Sequence, residues 1–216
     1  MTLNIGRSFT YVFEDEGWIM KIVIGGILMF IPIINFIILG YQLEVLKRVA
    51  DGMDIPLPEW DDFGGKFTKG LMAFLIALVY NIPTMLIVCL HIGLIAMAAA
   101  ADSDALMSMA GLLTACEYCV LPVWGIVVVL VLPVAIIRYA ATGEFMSAFQ
   151  FGEIFSFIRD NVANYIVALI VTWVAFFVAN FGVIACFVGV LVTMFWAYLV
   201  MAHLLGQVQR ESLAVA

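Results

Sequence analysis

Charged residues are scarce in this chain of 216 residues: they make up 12% of the sequence, whereas hydrophobic residues make up 66%. Soluble domains are about half apolar and about a quarter charged. No soluble fold of this length could bury so much apolar side chain, and several stretches longer than about 18 residues carry almost no charge, which is enough to cross a bilayer. The scarcity of charge excludes a soluble globular protein and predicts a single domain that is an all-α, polytopic bundle of membrane helices.

Basic residues are rarer still, with nine Lys and Arg against sixteen Asp and Glu and a net charge of −7. Nucleic acids and anionic lipid surfaces both attract clustered Lys and Arg. The N-terminal residues also lack the apolar core of a secretory signal peptide, because Glu14, Asp15 and Glu16 interrupt them. We therefore expect no nucleic-acid partner, and we expect the mature helices to drive insertion into the lipid bilayer.

Two of the four apolar stretches contain turn residues. Stretch 18–49 contains Pro32, and stretch 164–207 is divided by Asn180-Phe181-Gly182. If both are hairpins, the chain has about six membrane helices and all nine basic residues lie on one side, whereas a single kinked first helix would divide them two against seven. The positive-inside rule favours the hairpins, with both termini in the cytoplasm. The other stretches are 70–100 and 118–139, and the basic residues are Arg7, Lys21, Lys47, Arg48, Lys66, Lys69, Arg138, Arg159 and Arg210.

The first pair of helices is short. Its first arm, Trp18–Ile31, spans roughly 21 Å at 1.5 Å per residue, against a hydrocarbon core of about 30 Å. Three explanations stay open: the pair is re-entrant, it thins the bilayer locally, or its first helix begins within Phe13–Gly17.

Apolar and polar residues alternate with helical spacing in Glu144–Asp160. Phe149 and Ile154 lie on one face, whereas Glu153 and Arg159 lie on the other. This pattern predicts an amphipathic helix along the cytoplasmic membrane surface. Weak internal similarities also predict three units, each an interfacial segment followed by a helix pair: 5–50, 60–141 and 145–208.

No catalytic constellation is evident in the sequence. His91 and His203 lie in different stretches, and neither has a second histidine or a carboxylate three or four residues further on. Gly65-Lys66-Phe67 has phenylalanine where a phosphate-binding loop needs a hydroxyl. We therefore predict no catalytic residue, no metal site and no cofactor. Cys116 and Cys119 lie one helical turn apart, which leaves open a disulfide, a redox pair or simple packing.

Three further residues within the apolar stretches are unusual for a membrane helix. Glu44 stands four residues before Arg48, the favourable order for a helical ion pair, with a proton or ion site as the alternative. Pro83 removes a backbone donor and predicts either a plain kink or a broken helix of the kind that holds substrates in transporters. His203 lies seven residues before Arg210, so we expect it near the lipid headgroups.

A polar segment, PLPEWDDFGGKF, follows the first pair. Gly52 suits the left-handed cap at the end of the preceding helix, and Trp60 suits the membrane–water boundary. Asp61 or Asp62 can cap the next helix and stabilise its positive N terminus. We interpret the segment as a device for re-entering the membrane, and its carboxylates then need no catalytic role.

Two motifs carry a resemblance to a known family. LPEWDDF after the helix end KRVADG, together with AFQFGEIFSFIRDN before the last hairpin, resembles an uncharacterised family of bacterial and archaeal multi-pass membrane proteins with a domain of unknown function. The resemblance covers nearly the whole chain and is strongest over 5–69 and 148–208. It implies a membrane location and brings no substrate or catalytic residue.

These patterns predict a plasma-membrane protein that is not an enzyme. We expect a non-catalytic accessory or scaffold subunit of a membrane complex, with other membrane protein subunits as partners. A carrier for a lipid or another apolar molecule is the alternative, and a membrane enzyme ranks third. The candidate interaction or structural residues are Trp60, Asp61, Asp62, Glu44, Arg48, Pro83 and His203.

Overall fold

The computed structural model describes residues 3–185 and 188–215, and these residues contain no β-strand. The all-α prediction is confirmed. Three 3-10 helices occur at Tyr11–Glu14, Phe145–Phe149 and Phe181–Ala185. The eight α-helices of the described ranges are α1 (Ile5–Thr10), α2 (Trp18–Phe30), α3 (Phe36–Ala50), α4 (Phe63–Ala100), α5 (Asp104–Thr142), α6 (Phe151–Asp160), α7 (Val162–Asn180) and α8 (Val188–Val215).

Within the described ranges, four helices are long and apolar enough to cross a membrane, and α2 is a shorter apolar helix. Stretch 18–49 forms two helices, α2 and α3, separated by residues 31–35, so the hairpin reading is confirmed and the single kinked helix is wrong. Ile33 lies in that turn with a φ of 73°. A total of six membrane helices stays a prediction. The four long segments are Phe63–Ala100, Asp104–Thr142, Val162–Ile184 and Gly189–Ala214.

The chain forms two compact units. Unit 1 contains the residues up to Phe74 and those from Val134 onward, and unit 2 is Leu75–Pro133. All nine Lys and Arg belong to unit 1, and unit 2 has no Lys or Arg in its sequence. The proposed three-fold repetition along the chain stays a prediction.

Helix α8 lies at the centre of unit 1, where it packs against α2, α3 and α7. The helices approach each other closely because glycine, which has no side chain, lies at these crossings. A Cβ added to Gly25 of α2 would lie 2.2 Å from the Phe195 ring, and one added to Gly206 of α8 would lie 2.6 Å from the Leu46 carbonyl oxygen. Phe195 and Leu199 are fully or almost fully buried in this core.

Helices α3 and α4 touch through their backbones. A Cβ on Gly40 would lie 1.8 Å from the carbonyl oxygen of Lys66, and a Cβ on Gly70 would lie 1.7 Å from that of Phe36. Only glycine permits this approach, and it fixes the first turns of α4 against α3. The two helices therefore hold the side chains of the segment between them in a defined place.

Segment 144–160 is divided rather than one continuous helix. A 3-10 helix, Phe145–Phe149, precedes α6, and Gln150 between them has non-helical dihedral angles, φ −79° and ψ 75°. The Arg138 guanidinium holds this break, donating to the Ser147 carbonyl at 3.2 Å and to the Gln150 side chain. Ile154 is buried and Phe155 is exposed. A location along the membrane surface stays a prediction.

Pro83 lies inside α4, which continues through it as an α-helix. The broken helix considered for this position is therefore wrong. Pro83 has no backbone N–H, so it removes one hydrogen-bond donor from a helix that is otherwise continuous. The neighbouring Asn81 side chain donates to the Ala77 carbonyl at 2.8 Å.

Candidate functional site

The strap, defined here as residues 51–62 between α3 and α4, folds back onto unit 1. The Tyr41 hydroxyl donates to the Pro58 carbonyl at 2.9 Å, and the Trp60 indole donates to the Lys21 carbonyl at 3.0 Å. The Trp60 ring also stacks on Tyr41, with ring centroids 4.3 Å apart. Leu57, within the strap, is buried. These contacts fix a segment that sequence alone presents only as a loop.

Lys21, the first of two buried lysines that hold the strap, contacts Glu59. Its Nζ lies 2.6 Å from Glu59 Oε1 and 2.7 Å from Asp15 Oδ2. A buried ammonium group requires such partners, because an unpaired buried charge is strongly unfavourable. The Glu59 side chain is 72% exposed, so a carboxylate at the surface neutralises the charge of a buried lysine.

Lys66 makes the same kind of contact on the other side of Trp60. Its side chain is 1% exposed, and its Nζ lies 3.0 Å from Asp61 Oδ1 and 3.2 Å from Glu44 Oε2. It also donates to the Asp61 carbonyl at 2.8 Å. Glu59, Trp60 and Asp61 thus form a continuous edge attached to unit 1 at three successive residues.

Glu44 pairs across helices rather than along its own helix. It bridges Lys66 and Lys69 of α4, with 2.7 Å between its Oε1 and Lys69 Nζ. The expected pair with Arg48 is wrong, because the α3–α4 crossing brings both lysines to Glu44. The Arg48 guanidinium donates instead to the Leu57 carbonyl of the strap at 3.2 Å.

Asp62 caps α4, which confirms one of the two predicted caps. Its Oδ1 accepts from the Gly65 backbone N–H at 3.0 Å. Asp62 has a φ of 38°, in the left-handed region that Asn and Asp tolerate better than most residues. Asp61 pairs with Lys66 instead. The hydrogen bond and the charge of Lys66 hold the pKa of Asp61 below its ordinary value. The Asp61–Lys66 contact is therefore present at neutral pH and is lost as the pH falls through that lowered pKa.

Substitutions at Asp62 should show that this position needs a side chain that caps α4 and a residue that tolerates positive φ. Asp62→Asn should be nearly neutral, because asparagine caps helices and tolerates positive φ. Asp62→Ala should lower the free energy of unfolding by about 0.5–2 kcal/mol for the cap, with added strain from the left-handed backbone. Thermal unfolding in detergent measures both, and an alanine variant as stable as the asparagine variant would contradict the cap.

A charged cleft of about 340 Å³ opens beside the strap. Four acidic and four basic side chains line it, so the cleft as a whole is electrically balanced. It can bind charged groups electrostatically, and its lining lacks the hydroxyl, thiol and imidazole groups that act as nucleophiles. The lining residues are Glu44, Lys47, Arg48, Asp51, Asp61, Asp62, Lys66 and Lys69. Among the described residues, no group of three or more His, Cys, Asp or Glu side chains could hold a metal ion.

His203 is buried in unit 1 and is not part of the cleft. Its Nδ1 lies 3.0 Å from the Ser8 hydroxyl and 2.9 Å from the Gln207 amide nitrogen, and its ring stacks on Tyr11 at 4.2 Å. His203 lies beneath the N-terminal segment, where it contacts both α1 and α8. Its position near the lipid headgroups stays a prediction.

His91 has a partner that sequence inspection missed. Its Nδ1 lies 2.5 Å from Glu117 Oε2, a carboxylate of the next helix. Cys116 and Cys119, which flank that residue, are free and exposed thiols, as is Cys89. The structure therefore shows a polar contact in unit 2 rather than a disulfide.

Comparison with known proteins places the chain in a family. Residues 24–188, more than half of the chain, match the model described as protein of unknown function, DUF4013. The chain belongs to the DUF4013 family. The predicted membership of a family of unknown function is thus confirmed. The match includes the strap and unit 2, whereas Lys21 and His203 lie outside it.

One archaeal protein is a distant relative of the chain. The chain is 28% identical over 156 residues to "Uncharacterized protein MJ1189" of Methanocaldococcus jannaschii, an alignment that covers 70% of this chain and 50% of the relative. The chain thus spans about half the length of that relative. No solved structure matches the chain.

Proposed function

We propose that this DUF4013 protein is a non-catalytic accessory or scaffold subunit of a plasma-membrane complex, and that the strap is the surface that binds a partner protein. The observation that carries the proposal is the attachment of the strap to unit 1 by Lys21 and Lys66. A surface that is ordered before binding loses less conformational entropy on association than a mobile loop does.

The charge of the strap supports a basic partner. It contains five carboxylates and no Lys or Arg, and all five acidic residues are exposed. Complementary charge speeds encounter and selects partners more than it adds affinity. The same charge repels anionic lipid headgroups, which weighs against an acidic lipid as the ligand here. The five are Asp51, Asp54, Glu59, Asp61 and Asp62.

The pairing within the cleft supports a binding role over a catalytic one. Glu44 and Asp61 are engaged by Lys66, and Glu59 is engaged by Lys21. Carboxylates that act as general acids or bases need a reacting group within hydrogen-bond reach, whereas these carboxylates neutralise buried lysines. Their arrangement is that of a structural ion-pair network.

Purification in mild detergent followed by mass spectrometry tests the proposal. We expect a tagged chain, isolated from its native membrane, to retain a protein partner in a fixed ratio. A preparation that retains a stoichiometric lipid and no protein would contradict the proposal and favour the alternative, a carrier for a lipid or another apolar molecule.

We further propose that the strap and both termini lie in the cytoplasm. The sequence supports this orientation through the positive-inside rule, because in the six-helix topology all nine Lys and Arg lie on one side. Single cysteines introduced at Asp54 and Asp104, with the native cysteines replaced, should react with a membrane-impermeant reagent from opposite sides. Labelling of both from one side would contradict this topology.

A further inference from the structure

A hydrogen-bonded trio joins the two helices of unit 2. His91 Nδ1 lies 2.5 Å from Glu117 Oε2, and His91 Nε2 lies 3.3 Å from the Thr114 hydroxyl. The side chains of His91 and Glu117 are only 17% and 12% exposed. Because unit 2 contains no Lys or Arg, no basic side chain of this unit offsets the carboxylate charge.

The contacts of the trio fit two arrangements of its protons. The Thr114 hydroxyl lies 2.9 Å from the Ala110 carbonyl oxygen and 3.3 Å from His91 Nε2, and it has a single hydrogen to donate. If it donates to Ala110, it accepts from a hydrogen on Nε2, and if it donates to Nε2, that nitrogen carries no hydrogen. In both arrangements a proton lies between Nδ1 and Glu117 Oε2, because two acceptors would otherwise face each other at 2.5 Å.

The first arrangement contains one proton more than the second, which is a neutral histidine beside an ionised glutamate. The net charge of the His91–Glu117 pair is zero in the first arrangement and −1 in the second. A separate observation favours the first: Glu117 Oε1 is buried and has no hydrogen-bond partner among the described residues. A fully ionised, unneutralised carboxylate would leave a charged oxygen unsatisfied there, which is far more costly than an unsatisfied neutral group.

We propose that His91, Glu117 and Thr114 form a proton-binding site in the hairpin of unit 2. On release, the Nε2 proton passes to water and Nε2 becomes an acceptor. The Thr114 hydroxyl then rotates from the Ala110 carbonyl to Nε2, while Nδ1–H donates to the Glu117 carboxylate. The charge of the site changes from zero to −1, and only bonds to hydrogen form or break. This site is independent of the strap.

The surroundings of the trio offer few competing groups. The two other carboxylates of unit 2, Asp102 and Asp104, lie at the α4–α5 turn. The remaining titratable residues of unit 2 are Tyr80, Cys89, Asp102, Asp104, Cys116, Tyr118 and Cys119.

Nitrogen NMR of the full chain, labelled in its two histidines and held in a lipid nanodisc, tests the site. At about pH 5 we expect His91 to carry a proton on Nε2, and raising the pH should move His91 to the tautomer protonated only on Nδ1. His203 is an internal reference, because the Gln207 amide donates to its Nδ1 at 2.9 Å. Loss of one of the two signals in His91→Asn assigns them.

Two variants separate proton binding from simple packing. Glu117→Gln should abolish the tautomer change, whereas Asp104→Asn, which removes an exposed acid at the turn, should leave it intact. A wild-type His91 that is protonated only on Nδ1 throughout the range from about pH 5 to about pH 8 would overturn the proposal, even if Glu117→Gln failed to fold. An unchanged titration in folded Glu117→Gln would also overturn it.

Discussion

Gly40→Ala should abolish stable folding of unit 1. The new Cβ would lie 1.8 Å from the Lys66 carbonyl oxygen, well inside van der Waals contact. Overpacking a core typically costs about 1–3 kcal/mol when side chains can adjust. Here the obstacle is backbone, so relief requires separating α3 from α4, and we expect a loss at or above the upper end of that range.

Gly64→Ala is the matched control for this substitution. Gly64 lies in the first turn of the same α4 helix, and a Cβ there would meet nothing within 4 Å. Alanine is a better helix former than glycine by about 1 kcal/mol, so this variant should be as stable as the parent chain or more so. Size-exclusion chromatography and thermal unfolding in detergent measure both. Equal stability of the two variants would show that α3 and α4 do not touch at Gly40.

Glu44→Ala should also destabilise the chain strongly. It removes one of the two carboxylates that neutralise the Lys66 ammonium group, which is 1% exposed. Breaking a buried ion pair from one side typically costs about 3–5 kcal/mol, and the remaining contact with Asp61 should keep the loss near the lower end. Chemical or thermal unfolding in detergent measures the change.

The double variant Glu44→Ala/Lys66→Met tests the cause. Removing the ammonium together with its partner leaves no buried charge, so the double variant should recover much of the lost stability. Glu14→Ala is the matched control, because Glu14 pairs with Arg7 at the surface, where both side chains are more than a third exposed, and such pairs contribute about 0.2–1 kcal/mol. A double variant no more stable than Glu44→Ala would contradict the buried-charge explanation.

The helices could be predicted from the sequence because their signals are local. Turn chemistry at Pro32 and the distribution of basic residues together favoured the hairpin that α2 and α3 form. The cap at Asp62 was likewise a local signal, since it depends on a residue three positions further on. Such features survive in the fold because no distant contact competes with them.

The contacts between helices could not be predicted in the same way. Glu44 has a basic residue four positions later in its own helix, yet its ion pairs are with Lys66 and Lys69 of α4. The signal that could have indicated them is glycine at positions 40 and 70, which permits the close crossing. The strap presents the same difficulty, because its attachment depends on two lysines brought together only by the tertiary fold.

The contact between His91 and Glu117 is one between helices that the sequence could have indicated. The turn between α4 and α5 is short, so pairing residues at similar distances on either side of it places His91 opposite the region of Thr114 and Glu117. Searching for a partner within the same helix therefore missed a carboxylate on the returning helix. Of the two readings of Pro83, only the broken helix is wrong, because α4 continues through the proline.

The charge dependence of partner binding tests the central claim most directly. Asp51→Asn/Asp54→Asn removes two exposed strap charges without altering the carboxylates that contact Lys21 and Lys66, and Asp102→Asn/Asp104→Asn removes two acids from unit 2 as a control. Co-purification in mild detergent should recover several-fold less partner protein with the strap variant, since each exposed charge pair contributes about 0.2–1 kcal/mol, and added salt should reduce recovery with the parent chain. Equal recovery with both variants, unaffected by salt, would contradict a docking role for the strap.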